Sequence, residues 1–436
     1  MMLKKFTAIA IIAILATSLA ACNTAVSSDN SSSQTVTSSQ SSQASSSGTT
    51  AENAAKTDSD QDTVITNANV TSTGKIDATD LFSKRDLTQT ADLSNAETIT
   101  LSDSQNVSIT KEGVYVISGS AKEVTITVDA ADDAKVQLVL DSISVTNTDS
   151  PVIYVKNADK VFVTTQGDNS FSVTGSFTAD GSTNTDAVIF SKDDLVLNGT
   201  GTLTISSTDN GISCKDDIKI TGGTINIDCT SDAIEANDSI NIAAGTINIT
   251  SKKDGLHAED SDDNTKGSIY ICGGTLTINA SDDAIHAETV AQIDDGTFDL
   301  TAAEGIEATY FQINGGTVNI SSSDDGINAA HKSNANAYEV AVEITGGSIT
   351  IKMGAGDTDG IDSNGNLYIS GGTIDVTGQS PFDYDGQATH TGGTLIVNGT
   401  ETNKITNQMM GGGMRGGQGG MPGGNRGNMQ EMPQMR

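Results

Sequence analysis

A short element of the form Gly-Thr-apolar-x-apolar recurs through the second half of the chain. With Ser in place of Thr at one copy, the element begins at Gly201, Gly223, Gly245, Gly274, Gly296, Gly316, Gly347, Gly372 and Gly393. Successive copies lie 20 to 31 residues apart, a spacing typical of proteins built from stacked repeats. Because one unit of this size cannot bury its own apolar face, neighbouring units must pack on one another.

Two further elements recur between the glycines. One is an acid, Gly or Ala, an aliphatic residue, any residue and a small residue, as in Asp232–Ala236 and Asp325–Ala329. The other is an apolar-x-apolar run just before the glycines, as in Ile240–Ile242. Alternation with a period of two, interrupted by Gly, indicates short strands joined by tight turns. The sequence therefore predicts an all-β fold, a right-handed parallel β-helix (a solenoid) with three short strands per coil.

The two ends of the chain differ in composition from this repeat. Lys4 and Lys5 precede the apolar run Phe6–Leu19, as in a secretory signal. Its last residues, Leu19-Ala20-Ala21-Cys22, resemble a bacterial lipobox, which implies lipidation of Cys22 and an extracytoplasmic, membrane-anchored, surface-exposed protein; an ordinary signal peptide is the alternative. We predict a lipoprotein signal peptide at 1–22, a disordered Ser-rich tether at 23–62, a β-rich N-terminal cap at 63–135, the parallel β-helix at 136–408 and a disordered Gly/Met-rich tail at 409–436.

The charge balance restricts the partners of such a chain. Asp and Glu number 56 against 23 Lys and Arg, which gives a formal net charge of −33. This balance excludes nucleic-acid binding by phosphate neutralisation and favours cations. With Cys22 assigned to lipidation, Cys214, Cys229 and Cys272 remain, and an odd number does not predict a disulfide framework. We expect a monomer that meets the membrane only through its lipid anchor.

Stacking places the acid of each repeat above the acid of the next, about 4.8 Å away. Such a column of carboxylates repels itself unless a cation lies between them, and Ca²⁺ suits flexible sites made of oxygen ligands. The alternative is that Asp-Gly pairs only form turns, with the charge screened by salt. The predicted calcium ligands are Asp232, Asp254, Asp282, Asp283, Glu304, Asp324, Asp325 and Asp359.

One stretch resembles a known family. The run Ser191–Leu203, followed by Asn210–Thr224, is similar to clostridial secreted carbohydrate-binding domains, and the resemblance extends from about Leu101 to Asn398. That family consists of calcium-binding parallel β-helices similar to family 9 polysaccharide lyases, with affinity for cellulose and pectic polygalacturonate. The resemblance implies several bound Ca²⁺ ions and a polysaccharide partner, an acidic plant or cell-wall glycan.

The columns predicted to face solvent supply candidate sugar contacts. Two residues after the acids, one column contains aromatic rings and then two adjacent imidazoles between Glu235 and Glu307. Those imidazoles and carboxylates either form ion pairs and sugar contacts or bind a transition metal. The predicted carbohydrate-binding residues are Tyr154, Phe190, His257, His286, Tyr270 and Tyr368.

Two alternative functions are compatible with the sequence. A calcium-dependent pectate-type lyase would need a Lys as base, and the candidates are Lys252 and Lys253 beside Asp254, then Lys215. A structural surface stalk would bind nothing. The Met-rich tail, with Met429, Met432 and Met435, permits a Cu(I) site or an adaptable contact segment. We assign no catalytic residue and favour a non-catalytic polysaccharide-binding protein.

Overall fold

A computed structural model of the protein describes residues 74–331, 338–356 and 358–407. The predicted signal peptide, the lipidation site Cys22, the tether and the Met/Gly tail lie outside the described residues. Within those ranges the chain forms 32 strands and no helix, so the prediction of an all-β fold is confirmed. It follows that these ranges contain no apolar helix of membrane-spanning length.

The strands are short, apart from five that continue through a corner of the fold (β3, β5 and β19–β21). In chain order they are β1 Glu97–Thr100, β2 Val107–Ile109, β3 Gly113–Lys122, β4 Ile126–Asp129, β5 Lys135–Asn147, β6 Ile153–Asn157, β7 Lys160–Gln166, β8 Asp168–Val173, β9 Ala187–Ser191, β10 Asp194–Gly199, β11 Thr202–Ser206, β12 Asn210–Cys214, β13 Asp217–Ile220, β14 Thr224–Asp228, β15 Ile234–Ala236, β16 Ser239–Ile242, β17 Thr246–Thr250, β18 Leu256–Ala258, β19 Ser268–Asn279, β20 Asp283–Ala302, β21 Glu304–Ile313, β22 Thr317–Ser322, β23 Ile327–Ala329, β24 Ala341–Ile344, β25 Ser348–Met353, β26 Asp359–Ser363, β27 Asn366–Ile369, β28 Thr373–Thr377, β29 Ser380–Tyr384, β30 Ala388–His390, β31 Thr394–Val397 and β32 Thr400–Thr402.

Pairing follows a period of three strands. Each strand from β6 to β16 pairs in parallel with the strand three positions later, as β10 does with β13 and β13 with β16. Before and after this stretch the same pairing continues through the long strands, as when β19 pairs with β20 and β20 with β21. The chain therefore advances in three-stranded coils, and side chains at equivalent positions form columns. Parallel pairs begin at Glu97, within the range predicted as the cap.

The columns divide the surface into three faces. The histidine face has β6, β9, β12, β15, β18, β23, β26 and β29, with the first residues of β20 and β21. The threonine face has β8, β11, β14, β17, β22, β25, β28 and β31, with the last residues of β19 and β20. The amide face has β7, β10, β13, β16, β24, β27 and β30, with the intervening residues of β19, β20 and β21.

The glycines that open each repeat occupy a corner of the coil. All of those identified in the sequence except Gly201 have a positive φ, for example 83° at Gly316 and 78° at Gly372. The backbone of the previous coil also passes close by, since a Cβ built on Gly372 would lie 2.6 Å from the carbonyl oxygen of Gly346. These corners therefore need glycine both for its dihedral range and for space.

We expect Gly372→Ala to lower the free energy of unfolding by about 3 kcal/mol, because it adds a steric clash to an unfavourable φ. Gly181→Ala is the matched control, since Gly181 has a φ of 62° with no atom within 4 Å of its added Cβ. The control should lose only the conformational part, about 1 kcal/mol. Urea unfolding measures both, and equal losses would contradict the close approach at the corner.

A continuous hydrophobic core fills the coils from Leu101 to Leu395. It consists of stacked aliphatic side chains, mostly Ile, Val and Leu, with Phe at a few positions. Cys214, Cys229 and Cys272 are buried and are not joined in a disulfide, and burial raises the pKa of the Cys229 thiol to about 12. Such buried thiols are inert packing groups rather than reactive sites.

Residues 74–94, which we call the strap, lie along the amide face. The amide of Ile76 donates to Gln292 Oε1 (2.8 Å), and Lys75 Nζ lies 4.3 Å from the centroid of the Tyr310 ring. Farther along the strap, Gln89 Nε2 donates to the carbonyl of Thr221 (2.9 Å). The strap thus begins over later coils and runs towards earlier ones, covering the face that the sequence predicts to be exposed.

Candidate functional site

The acid column lies at the start of the histidine face and is tied to the backbone. The amide of Asp254 donates to Asp232 Oδ1 (3.0 Å), and the amide of Asp283 donates to Asp254 Oδ1 (2.9 Å). The same contact recurs between two later coils, where the amide of Asp359 donates to Asp325 Oδ1 (2.9 Å). One oxygen of each accepting carboxylate therefore has a structural role, which leaves Oδ2 for other partners.

The remaining oxygens of this column face two imidazoles on the neighbouring column. His257 Nδ1 lies 3.6 Å from both Asp232 Oδ2 and Asp254 Oδ2. His286 Nδ1 lies 3.5 Å from Asp254 Oδ2, 3.0 Å from Asp283 Oδ2 and 3.6 Å from Glu307 Oε2. The side chains of His257 and His286 are 20% and 13% exposed, so the solvent-facing position predicted for them is only partly realised.

Burial and charge crowding perturb the acids of this region. Burial, together with the Asp254 and Glu307 carboxylates and despite His286, raises the pKa of Asp283 to about 7. Burial, with Glu307 and Asp283 nearby, raises the pKa of Glu304 to about 8. The cluster thus carries more carboxylates than its environment readily ionises, a condition that a bound cation relieves.

Not all predicted calcium ligands come together. Asp254, Asp282 and Asp283 offer carboxylate oxygens within 4.8 Å of one another. Within the described ranges, the other predicted ligands Asp232, Glu304, Asp324, Asp325 and Asp359 belong to no such group of three. The acids form a column, as the repeat predicts. The directions of their side chains, however, bring three carboxylates together only at Asp254, Asp282 and Asp283 among the predicted ligands in the described residues.

The structure contains a second acidic cluster that we did not predict from the sequence. Asp194, Asp216 and Asp217 place carboxylate oxygens within 4.8 Å of one another, and burial, with Asp194 nearby, raises the pKa of Asp216 to about 7. The available signal was the acid pair that follows a lysine in two successive coils, at Lys192 and at Lys215. These acid pairs lie just before an apolar-x-apolar strand, and not in the acidic element from which the calcium ligands are predicted.

Three of the four aromatic rings predicted as sugar contacts, those of Tyr154, Phe190 and Tyr270, are buried, so the prediction that they are exposed is wrong. Tyr154 and Phe190 pack edge to face with centroids 5.8 Å apart. The loop between β8 and β9 covers them, with Tyr154 Oη donating to Asp180 Oδ2 (3.2 Å). Tyr270 is also buried, and its hydroxyl donates to Asp294 Oδ2 (2.7 Å). Tyr368 is half-buried and donates to Glu339 Oε1 (2.7 Å).

Two of the three lysines considered as lyase bases, Lys253 and Lys215, form ion pairs at the surface. Lys253 Nζ lies 3.6 Å from Asp232 Oδ2 with its side chain 61% exposed. Lys215 Nζ lies 3.5 Å from Glu235 Oε1 and is also solvated. A general base at neutral pH requires a desolvated amine, which neither pair provides.

The threonine face is open and uniform over nine coils. Its first outward column is a hydroxyl ladder formed by Thr202, Thr224, Thr246, Thr275, Thr297, Thr317, Ser348, Thr373 and Thr394. The second outward column is Thr204, Asn226, Asn248, Thr277, Asp299, Asn319, Thr350, Asp375 and Ile396. These side chains are half-buried or exposed. The face therefore presents closely spaced donors and acceptors to solvent.

A shallow groove of about 450 Å³ lies at one border of this face. Small side chains such as Ala302 and Ser322 form its floor, while Lys352 and Met353 contribute the longer side chains. Ser281, which also lines the groove, directly precedes Asp282 of the carboxylate group. A cationic side chain thus lines the groove, and one residue of the carboxylate group is the chain neighbour of a lining residue.

Comparison with known proteins places this fold in a family. Residues 103–360, more than half of the chain, match the family model described as carbohydrate-binding domain-containing protein.

One relative with that description, from Acetivibrio thermocellus, is 33% identical over 156 residues, which are 35% of this chain and 53% of the relative. The chain thus spans about half the length of that curated relative. A solved structure of a polysaccharide lyase-like protein from C. thermocellum, in a gadolinium derivative, is 30% identical with a TM-score of 0.44, covering 51% of this chain and 93% of that one. On the strength of the family match, the chain belongs to the carbohydrate-binding domain-containing protein family.

Proposed function

We propose that the protein binds an extended polysaccharide on its threonine face. The observation that carries this proposal is the ladder of hydroxyl and amide side chains repeated over nine coils. Family membership supports a carbohydrate partner. The other two faces fit less well, because the strap covers much of the amide face and the rings of the histidine face are buried.

The dimensions of the threonine face suit a polymer rather than a small sugar. Nine coils spaced about 4.8 Å apart extend over roughly 38 Å. Hydroxyl groups donate and accept, and Asn side chains do both through separate atoms, so they match the hydroxyls of a sugar chain. Neither column contains an aromatic residue. Binding therefore rests on many hydrogen bonds along a flat surface, each of modest strength.

Calcium and an acidic glycan enter as the finer part of the proposal. Asp254, Asp282 and Asp283 supply the oxygen ligands that Ca²⁺ prefers, and they adjoin the groove through Ser281. A cation held there, with Lys352 on the same groove, would pair with a sugar carboxylate. The oxygen donor set fits Ca²⁺, although the flanking imidazoles do not contribute to such a site.

Architecture and location complete the proposal. The three-strand pairing period supports the predicted parallel β-helix, and its right hand follows the usual hand of parallel crossovers. The lipobox-like sequence before Cys22 supports a lipid anchor and display at the cell surface. We further propose that the protein is monomeric and acts without catalysis.

Co-sedimentation with insoluble pectate and cellulose tests the binding face. We expect the double variant Thr277→Glu/Asn319→Glu to lose at least tenfold in affinity, because two long acidic side chains on the ladder hold a chain away from the surface and repel sugar carboxylates. Thr389→Glu, on the exposed end of the amide face, should bind like the unmodified protein.

Parallel assays in calcium and in chelator test the calcium part. Pelleting with pectate should weaken in chelator, without ultraviolet absorbance from unsaturated sugars. Pelleting that the ladder variant leaves unchanged would overturn the proposed face. Absorbance released into the supernatant would indicate a lyase, and no pelleting in any condition would favour a structural stalk.

A further inference from the structure

Two imidazoles lie side by side on adjacent coils, in contact with a shared carboxylate. His257 and His286 are paired in register, and their ring centroids are 4.7 Å apart with planes inclined by 39°. The Nδ1 atoms of both rings approach the same oxygen, Asp254 Oδ2, at 3.6 and 3.5 Å. Two nitrogens and one oxygen thus converge on one point of the histidine face.

The spacing of these donors is close to that of a tetrahedral metal site. Zn²⁺ bonds to His nitrogen and carboxylate oxygen are about 2.0–2.2 Å long, which places neighbouring ligand atoms roughly 3.3–3.5 Å apart. The two nitrogen–oxygen distances to Asp254 exceed this by only a little. Asp283 Oδ2, 3.0 Å from His286 Nδ1, supplies a fourth donor. Small side-chain rotations would complete the geometry.

Contacts outside the donor set hold it in place. The backbone amide of Asp283 fixes Oδ1 of Asp254, so that Oδ2 faces the imidazoles. Glu259 Oε2 lies 3.3 Å from Nε2 of His257, the carboxylate–histidine arrangement that orients metal-binding imidazoles. The other nitrogen of that ring, His257 Nδ1, is buried and lies 3.6 Å from both Asp232 Oδ2 and Asp254 Oδ2. A metal ion between this nitrogen and these carboxylates would bond to both and take the place of the proton that otherwise links them.

We propose that His257, His286, Asp254 and Asp283 form a binding site for Zn²⁺. Imidazole nitrogen is a suitable ligand for Zn²⁺, whereas Ca²⁺ takes oxygen ligands. The site is therefore distinct in chemistry from the calcium group of Asp254, Asp282 and Asp283, although the two share two carboxylates. This inference does not depend on glycan binding.

Titration of the full chain with Zn²⁺ after removal of metals by chelator tests the site. We expect one Zn²⁺ bound per chain by calorimetry and by elemental analysis after dialysis. His286→Gln should weaken this binding at least 100-fold, and His257→Gln should have a similar effect. His331→Gln, at an exposed histidine outside the cluster, is the matched control and should bind like the unmodified protein.

Two further readouts make the result decisive. Zn²⁺ should raise the Tm of the unmodified protein but not that of the His286→Gln chain, whose far-UV circular dichroism confirms folding. Co²⁺ should give the visible absorption of a tetrahedral site. The inference fails if no stoichiometric Zn²⁺ binds, or if both His variants bind it unchanged. Calcium-dependent pelleting of His286→Gln with pectate is measured separately, so that loss of one property is distinguishable from loss of the other.

Discussion

Replacing one buried carboxylate should detach the strap from the amide face. We expect Asp86→Asn to lower the free energy of unfolding by about 3 kcal/mol and to increase amide hydrogen exchange of residues 74–94 at least tenfold. Asp86 is fully buried, with Lys219 Nζ 3.7 Å and Lys160 Nζ 3.9 Å from its carboxylate. Removing its charge leaves two largely buried ammonium groups without this partner.

The same carboxylate also organises the strap itself. Its Oδ2 accepts a hydrogen bond from the amide of Ser83 (2.9 Å), while the Asp86 carbonyl accepts from the Thr221 hydroxyl. Next to it, the guanidinium of Arg85 lies 4.4 Å from the centroid of the Phe162 ring. These contacts make residues 83–89 the anchor of the strap, so loosening them should expose the polar column beneath.

Asp92→Asn provides the matched control, because Asp92 lies on the same strap but is exposed. Its carboxylate accepts a hydrogen bond from the nearby amide of Ser94 (2.9 Å). We expect its exchange and stability to stay within about 0.5 kcal/mol of the unmodified protein. Exchange measured by mass spectrometry that rises equally in both variants would show that the strap is not held by the buried charge.

The strap also shows where inference from sequence stops. Column register follows from a period of two and a glycine at each corner, so the neighbours of His257, including Glu235 and His286, could be predicted. Asp86 belongs to no repeat, and its partners Lys160 and Lys219 are distant in the chain. No local pattern indicates such a contact, because tertiary pairing alone creates it.

Solvent exposure of side chains is a second property that the period-two alternation of the sequence does not predict. Alternation determines that Tyr154 and Phe190 point away from the core, and they do. It does not reveal that the loop carrying Asp180 folds over them, with Lys156 paired to that acid at 2.6 Å. A residue can therefore point outward from a coil and still be buried, and this is why the predicted exposure of these two rings is wrong.

Stability of the metal-free protein should fall as the pH rises. We expect the Tm in chelator to drop by about 5 °C between pH 5 and pH 8.5. Burial, assisted by neighbouring carboxylates, raises the pKa of Asp283 to about 7 and that of Glu304 to about 8. Burial likewise raises the pKa of Asp325 to about 6 and that of Asp362 to about 7.

The sign follows from proton binding in the two states. Below about pH 4 these carboxyls are protonated in both the folded and the unfolded chain, so they do not affect stability. Between about pH 4 and pH 8 the unfolded chain releases protons that the folded chain retains, and stability therefore decreases with pH. His257 acts in the same direction above pH 6.5, because neighbouring carboxylates outweigh burial and raise its pKa to about 10.

A single neutral substitution isolates this effect. Glu304→Gln keeps an oxygen that can accept from Asn328 Nδ2, now at 3.0 Å, but removes a charge from the crowded cluster. We expect it to be about 1–2 kcal/mol more stable than the unmodified protein at pH 8.5 in chelator and equal to it at pH 4. Glu401→Gln, at an exposed position, should change neither value.

Added cation should reduce the difference in stability between the two chains. If Ca²⁺ or Zn²⁺ neutralises the cluster, either ion should flatten the decline of Tm with pH, because the metal favours the ionised carboxylates that protonation otherwise replaces. The stability advantage of Glu304→Gln should then shrink, because the cation relieves in the unmodified protein the same carboxylate repulsion that the substitution removes. A decline that is the same with and without either ion would mean that these acids bind neither, and that their crowding reflects only the backbone ladder that Asp232 and Asp254 support.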